Sequence, residues 1–399
     1  MKKKVVIGLS GGVDSSVAAW VLMEEGYEVT GLFMRNWNDT TGLLQSECHW
    51  EDDLMFAEMV AKKLKIPFHM VDLSEPYRKR VVDYMFSEYE KGRTPNPDVL
   101  CNREIKFDSF VDEAKKLGAD FVATGHYCRK ESINDGNQTI YRLLTGNDPN
   151  KDQSYFLCQV SQKQLATALF PIGEMTKPEV REVAEKLGLA TARRKDSQGI
   201  CFVGKVDLPT FLQQKLEAKK GQIIEIPAAH EFRIWNAGFP VDNVTDNELK
   251  EAVEPHLYDP SFGRMIGTHN GAHFFTIGQR KGMNIGGYKE PLFVIDTDVN
   301  LNILYVGEGQ SHSGLYRKGL FVRKEELHWL RPDLEMTTGE SREYMVRIRY
   351  RQPLQKAKLY MKPEGIYIIF NKLQRGVAPG QFAAWYDGDE VIGSGVIDR

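Results

Sequence analysis

One stretch constrains this chain more than any other: Leu9-Ser10-Gly11-Gly12-Val13-Asp14-Ser15-Ser16. It follows residues 4–8, a short apolar run suited to a buried strand. It precedes the apolar run 17–23, closed by Glu24-Glu25-Gly26. That order predicts strand, glycine-rich turn and helix, with Gly26 just past the helix end. Gly11 and Gly12 let the backbone turn sharply and approach a ligand closely. The unpaired amides of the first helical turn face whatever occupies the turn, and the helix dipole favours negative charge there. Ser10, Ser15 and Ser16 add hydroxyl donors. A bare Gly-Gly would suit an ordinary connection, but the whole octet points to an anion site.

The loop lacks the lysine of the G-x-x-x-x-G-K-[ST] phosphate loop. It resembles the S-G-G-x-D-S loop of the ATP pyrophosphatase (PP-loop) family. That resemblance implies an enzyme that holds the β,γ-pyrophosphate of ATP and exposes the α-phosphorus. Its products would be an adenylated substrate and pyrophosphate.

A chain of 399 residues has room for two or three domains. Hydrophobic residues at 42% and charged residues at 27% are ordinary for a soluble globular protein. No apolar run approaches the ~20 residues of a membrane helix. Met1 to Lys4 pass straight into the first strand with no apolar leader, so a cytoplasmic protein without a membrane partner is expected. The net charge of −3 leaves RNA contact to local basic patches. Five cysteines at 48, 101, 128, 158 and 201 form no C-x-x-C pair. This is neither a disulfide framework nor a dedicated metal-ligand cluster.

Further along, 27–33 reads as a second strand, 52–64 as a helix, 68–71 as a third strand and 75–89 as a helix. Residues 92–101 read as an exposed loop rich in Pro and Asn, 107–117 as a helix and 121–124 as a buried strand. The alternation implies an α/β fold with a doubly wound parallel sheet. Ligands sit beyond the strand C-termini of such sheets, where the Ser10 turn, Met34 and Gly125 would fall. From about 160 the pattern is helical, and Thr176 with Glu179 is a capping-box signature. Beyond Gly221 short β runs appear, among them 274–277, 293–296 and 304–307. Two small, mainly β domains are expected, the last a β-barrel. The division is 1–209, 210–290 with an insertion at 226–265 and a short helix near 247–253, then 291–399. Arg347, Arg349 and Arg351 alternate, so one strand face would carry all three, as a solvated row or an RNA contact.

Two stretches carry candidate thiol chemistry. In 95–102 two prolines hold Asp98 and Cys101 three residues apart. Arg103 or a nearby helix N-terminus would lower the thiol pKa, and the carboxylate could shuttle a proton; the alternative is that Cys101 is a buried filler. In 195–202, Cys201 leaves a polar turn and enters Phe202-Val203, where packing explains it equally well. Cys48, Cys128 and Cys158 lack such context and read as structural.

The octet at 9–16, N-P-D-V-L-C-N at 96–102, T-G-H at 124–126, K-D-Q-S-Y-F at 151–156, D-S-Q-G-I-C-F at 196–202 and T-I-G-Q-R-K-G at 276–282 together resemble the bacterial tRNA-specific 2-thiouridylases. Residues 226–265 depart from that family's central domain. The resemblance implies exchange of O2 of the anticodon wobble uridine for sulfur, after AMP has been placed on that oxygen. It implies ATP with Mg2+ held by Gly8, Leu9, Ser10, Gly11, Gly12, Val13, Asp14 and Ser15, with Met34 and Gly125 on adenosine. Cys201 would carry a persulfide, Cys101 would be its partner thiol and Asp98 the acid or base, and Cys101 and Cys201 would meet within disulfide range. Asn96, Pro97 and Asp98 would contact the target base. His126, Lys151, Asp152, Gln153, Arg349, Tyr350 and Gln381 would contact tRNA. The sulfur would come from a sulfur-carrier protein or a cysteine desulfurase, and a monomer is expected. An iron–sulfur cluster on Asp98, Cys101 and Cys201 is the alternative sulfur carrier. Outside that family, the loop would also suit an amide or amine ligase, and the chain a non-catalytic RNA-binding module.

Overall fold

The computed structural model describes residues 2–37, 50–134, 136, 138–196, 208–229 and 244–398. Its first sheet is parallel and grows from β1 (Lys4–Gly8). β2 (Glu28–Arg35) and then β3 (Phe68–Asp72) pair on one side, and β4 (Phe121–Ala123) on the other. A hairpin of β5 (Cys128–Asn134) and β6 (Thr139–Thr145) leaves this sheet. β7 (Ala168–Leu169) returns to its edge, giving the order β3-β2-β1-β4-β7.

Side chains alternate across the sheet as the pleat requires. Val5 and Ile7 pack with Val17, Ala18 and Leu22 of helix α1 (Val13–Glu24), while Val6 packs on the opposite face with Phe86, Ile105 and Phe110. Helices on both faces make the sheet doubly wound, as predicted. α1 ends where the sequence places its stop. Gly26 has φ +88, its amide bonds to Met23 O at 3.0 Å, and that of Tyr27 to Leu22 O at 3.1 Å.

The second sheet orders β10-β11-β8-β9, from β8 (Gly221–Glu225), β9 (Arg264–His269), β10 (Leu292–Asp298) and β11 (Ile303–Glu308). The run at 274–277 forms no strand: a 3-10 turn occupies Ala272–Phe274, and the side chain of Gln279 accepts from the Thr276 amide at 3.1 Å to close the next turn. A helix at Asp246–Val253 stands where expected. Thr245 accepts from the Glu248 amide, and Leu249 and Ala252 pack on Tyr360 and Ile369.

The third unit is a closed barrel. β12 (Tyr316–Trp329), β15 (Gly365–Arg375), β14 (Gln355–Lys362), β13 (Ser341–Arg347), β16 (Phe382–Asp387) and β17 (Glu390–Ile397) pair in that order, and β17 returns to β12. The β5–β6 hairpin joins this barrel rather than the parallel sheet, with Leu143 opposite Val391. The interface is a shared core: Cys101, Tyr155, Phe382 and Tyr386 belong to one apolar cluster. Within it the Tyr155 hydroxyl donates to Phe382 O at 3.0 Å, and Gln159 Nε2 to Ser394 Oγ at 2.8 Å. The arginine row is not a single strand face. β13 ends at Arg347, which is buried and pairs with Asp152 at 3.0 Å; Arg349 and Arg351 lie in the following turn, with Arg351 at φ +63.

No described helix is long and apolar enough to cross a membrane.

Candidate nucleotide and RNA site

The glycine turn takes the predicted form at the C-terminal end of β1. Gly11 sits at φ +73, and a Cβ there would lie 2.3 Å from the Asp53 carbonyl oxygen. Gly12 is the N-cap of α1 in extended geometry with no side-chain cap, so the first-turn amides have no capping side chain. Leu9 and Val13 are buried, and the Leu9 amide is spent on Leu32 O at 3.0 Å. The serines divide. Ser16 Oγ donates to Gly12 O at 2.7 Å and accepts from Thr191 at 3.0 Å, so it braces the turn. Ser10 Oγ and Ser15 Oγ lie 3.2 Å apart at its mouth. The end of β4 crosses close by: a Cβ on Gly125 would lie 2.7 Å from the Ser15 amide nitrogen. Met34 is buried, its methyl 3.4 Å from where a Gly8 Cβ would stand. Gly8, the octet, Met34 and Gly125 therefore share one mouth.

Lys177, Arg181 and Arg194, which no motif announced, join motif residues in a charged cluster around this mouth. Asp14 receives Lys177 Nζ at 2.7 and 2.9 Å and the Tyr127 hydroxyl at 2.7 Å. Lys177 also reaches Asp196 at 2.8 Å, where Lys151 and Arg181 join it. Burial alone would raise the Asp196 pKa, but hydrogen bonds from Lys151 and Lys177 outweigh it and hold the carboxyl down to about 2. Arg194 donates to Gly11 O at 2.8 Å and pairs with Asp53 at 2.9 Å, clamping the turn from behind. The partners of Lys177 are 163 and 19 residues away in sequence (177 − 14 and 196 − 177), so no local spacing could reveal the cluster.

Residues 92–101 are not all loop. A helix begins at Pro97, with Asn96 as N-cap accepting from the Val99 amide at 3.3 Å, and continues through a π-helical stretch, Cys101–Ser109, to Lys116. Proline at the first helical position after a capping Asn is a helix start, a signal that reads as a turn when the prolines are weighed alone. Asp98 is half-buried in the first turn. Cys101 is buried one turn further, beyond the reach of the amides at the helix start. Arg103 turns to Glu104 at 2.7 Å and Gln159 at 2.8 Å. Cys201 lies outside the described residues; Asp196, five residues before it, is fixed by the cluster above.

The barrel and the central unit converge on the same helix start. Gln381 Nε2 donates to Thr94 O at 2.9 Å and Pro95 O at 3.2 Å, and Thr94 Oγ1 to Thr276 Oγ1 at 3.1 Å. The Tyr350 ring lies 4.3 Å from that of Phe156, and Arg349 donates to Gly376 O. Burial, with Arg375 nearby, lowers the Arg349 pKa. Of the other residues nominated for RNA contact, Gln153 accepts from the Tyr127 amide at 3.0 Å and Lys151 is half-buried on Asp196. Asp152 is buried, with Oδ1 taking the Ser154 amide at 3.0 Å. His126 is buried between Thr124 Oγ1 at 2.8 Å and Lys106 Nζ at 3.4 Å. Burial, then the Lys106 charge, pushes its pKa well below the usual range, so the ring is neutral.

Residues 3–205 match the family model described as the tRNA methyl transferase HUP domain. Residues 243–308 match the tRNA methyl transferase PRC-barrel domain, and 320–397 the aminomethyltransferase beta-barrel domain. A tRNA-specific 2-thiouridylase MnmA of Flavobacterium johnsoniae is 57% identical over 99% of this chain and 100% of its own. The chain belongs to the tRNA-specific 2-thiouridylase family. Members from Christiangramia forsetii and Karelsulcia muelleri are 56% and 46% identical, each over 99% of this chain and 100% and 99% of their own. The central-domain match begins at residue 243, inside the 226–265 stretch.

Proposed function

We propose that this member of the 2-thiouridylase family spends ATP to place AMP on O2 of a tRNA wobble uridine and then replaces that oxygen with sulfur. The observation that carries the nucleotide half is the convergence of Gly8, the glycine turn, Met34 and Gly125 at the uncapped start of α1. Those amides would take the β,γ-phosphates. Mg2+ would be held through phosphate oxygens and water, because Asp14, the turn's carboxylate, is engaged by Lys177 and Tyr127.

The chemistry explains why ATP is needed. C2 of uracil is a urea-like carbon with no leaving group. Attack of O2 on the α-phosphorus expels pyrophosphate and turns the oxygen into the leaving group AMP. A persulfide on Cys201 would then supply the terminal sulfur. Its addition at C2 expels AMP, while attack of the Cys101 thiolate on the Cys201 sulfur gives a Cys101–Cys201 disulfide that an external dithiol must reduce. Asp98, one helical turn from Cys101, is the candidate proton shuttle. The wobble base has to leave its stack to reach the mouth, and Asn96, Pro97 and Asp98 stand at the helix start that would meet it.

The test is reconstitution with tRNA, ATP and a persulfide-charged donor. Wild-type chain should release pyrophosphate only when tRNA is present and should form 2-thiouridine, read by nucleoside mass analysis. Cys101→Ser should keep the pyrophosphate and lose the thiouridine. Exchange driven by a small carboxylate or amine in place of tRNA would make the chain a ligase instead.

A further inference from the structure

One ammonium is shared by two carboxylates between the glycine turn and Lys151. Lys177 is 8% exposed. It opens the helix Lys177–Lys186, and its amide is tied to Asp148 Oδ2 at 3.0 Å. Its Nζ serves Asp14 and Asp196 together, at 2.7 and 2.8 Å. Asp196 in turn holds Lys151, whose side chain is 26% exposed. Asp14–Lys177–Asp196–Lys151 is thus an unbroken line of ion pairs from the first turn of α1 to the outer surface. The reaction scheme above gives neither Lys177 nor Asp196 a bond-making or proton-transfer step.

We propose that Lys177 makes nucleotide binding at the glycine turn and RNA-phosphate binding at Lys151 sense each other, and that the two oppose one another. The inference rests on the ATP and tRNA reading above. A phosphate that takes Lys151 strips Asp196 of one counterion. Asp196 then leans harder on Lys177 and on Arg181, which shares its Oδ1 at 2.9 Å, and Asp14 loses part of its neutralising charge. Asp14 stands where the nucleotide phosphates would arrive, so its uncovered carboxylate repels them. Linkage makes the effect reciprocal: bound nucleotide weakens the RNA by the same factor. The element with two arrangements is the ammonium itself, drawn toward one carboxylate or the other. Departure of pyrophosphate after adenylation would lift the opposition, so adenylated RNA is gripped more tightly than RNA in the ATP complex.

The experiment is anisotropy of a labelled anticodon stem-loop RNA titrated with the full chain at low ionic strength, with and without saturating α,β-methylene-ATP. In the wild type the analogue should weaken RNA binding about 5- to 10-fold, and RNA should weaken the analogue equally. Lys177→Met and Asp196→Asn should each bring that factor below about 2. Asp196→Asn keeps the side-chain volume and decides the matter if the lysine variant fails to fold. The proposal is overturned if Asp196→Asn keeps the full factor. It is also overturned if the analogue tightens RNA binding, or if a wild type that binds each ligand alone shows no coupling. A wild type that fails to bind either ligand alone, visible in the single titrations, removes the functional reading and this proposal with it.

Discussion

Gln381, at the entrance to β16 of the barrel, donates its side-chain amide to the backbone carbonyl of Thr94, 2.9 Å away across a sequence gap of 287 residues. The same group reaches Pro95 O at 3.2 Å, and the Gln381 carbonyl faces Asn96 Nδ2 at 3.4 Å. A Cβ on Gly380 would lie 2.9 Å from the Thr94 nitrogen, so backbone meets backbone. The barrel therefore sets the pose of the helix start that carries Asp98 and Cys101. Gln381→Ala should lower thiouridine formation about tenfold in kcat and leave the KM for ATP within about twofold. Loss of these bonds costs about 1–3 kcal/mol of order in the 94–96 segment. Steady-state kinetics with each substrate varied separates the two parameters, and an equal rise in the ATP KM would deny the barrel this role.

Gly125 and Gly12 make a contrasting pair. A methyl on Gly125 would sit 2.7 Å from the Ser15 amide nitrogen, a backbone atom that cannot swing away. Gly125→Ala should push β4 off the start of α1 and weaken ATP-analogue binding more than about tenfold. Gly12 has φ −92, and its Cβ would meet only Ser10 Oγ at 3.4 Å. Gly12→Ala should keep most of that binding. Isothermal titration of both variants tests the pair; equal losses would mean that the turn reads any added bulk alike.

The glycine turn was legible because everything it needs is contiguous: a strand, two glycines and a helix start within one stretch. The parallel sheet was legible for the same reason, since alternating apolar runs write β1 to β4 directly. What escaped is assembled from distant parts. The helix start at Pro97 hides behind prolines that equally well mark a turn. The β5–β6 hairpin has no partner strand nearby and completes its pairing with β17, more than 240 residues on, as in Arg142 donating to Glu390. Lys177 carries no motif, and only the fold sets it between Asp14 and Asp196.

Asp152 was nominated as an RNA contact, yet its carboxylate lies inside and faces Arg347 at 3.0 Å, with the Arg347 guanidinium 4.7 Å over the Tyr386 ring. Removing one partner of a buried pair strands the other charge, at a cost of about 3–5 kcal/mol. Asp152→Ala should therefore lower the urea midpoint sharply, and any loss of RNA binding should follow the unfolded fraction. RNA affinity lost at full stability would restore a direct contact.

Acid should weaken the fold in two stages. Burial lowers the pKa of His126, His269, His273 and His328 below the ordinary 6.5. The unfolded chain then binds protons that the folded chain refuses. This stability is complete above about pH 6.5 and declines below it, by up to ~1.4 kcal/mol per pH unit for each histidine. Asp196, held down to about 2, adds a second loss as pH falls below its unfolded value near 3.8. Melting temperature should be flat from pH 7 to 8 and fall below about 6.5. His126→Asn should make the first decline shallower, and an unchanged slope would assign it to the other three.

The thiols should divide by reactivity. Burial pushes Cys128 well above the ordinary thiol range, with the Asp152 charge adding to it, and Cys158 up to about 12. At pH 8 roughly one Cys158 in 10⁴ would be thiolate, and both side chains are sealed in the core. Iodoacetamide at pH 8 should leave the Cys128 and Cys158 peptides unmodified in the folded chain, as mass spectrometry reads directly. Cys128→Ala and Cys158→Ala should retain thiouridine formation within about threefold once corrected for folded fraction, since each removes only a packing atom. Cys101 is equally buried but opens the π-helical stretch next to Asp98, where a shift of the helix start would expose it. Its alkylation should accelerate when the anticodon RNA is added. Acceleration at Cys128 or Cys158 instead would move the sulfur chemistry to the barrel interface.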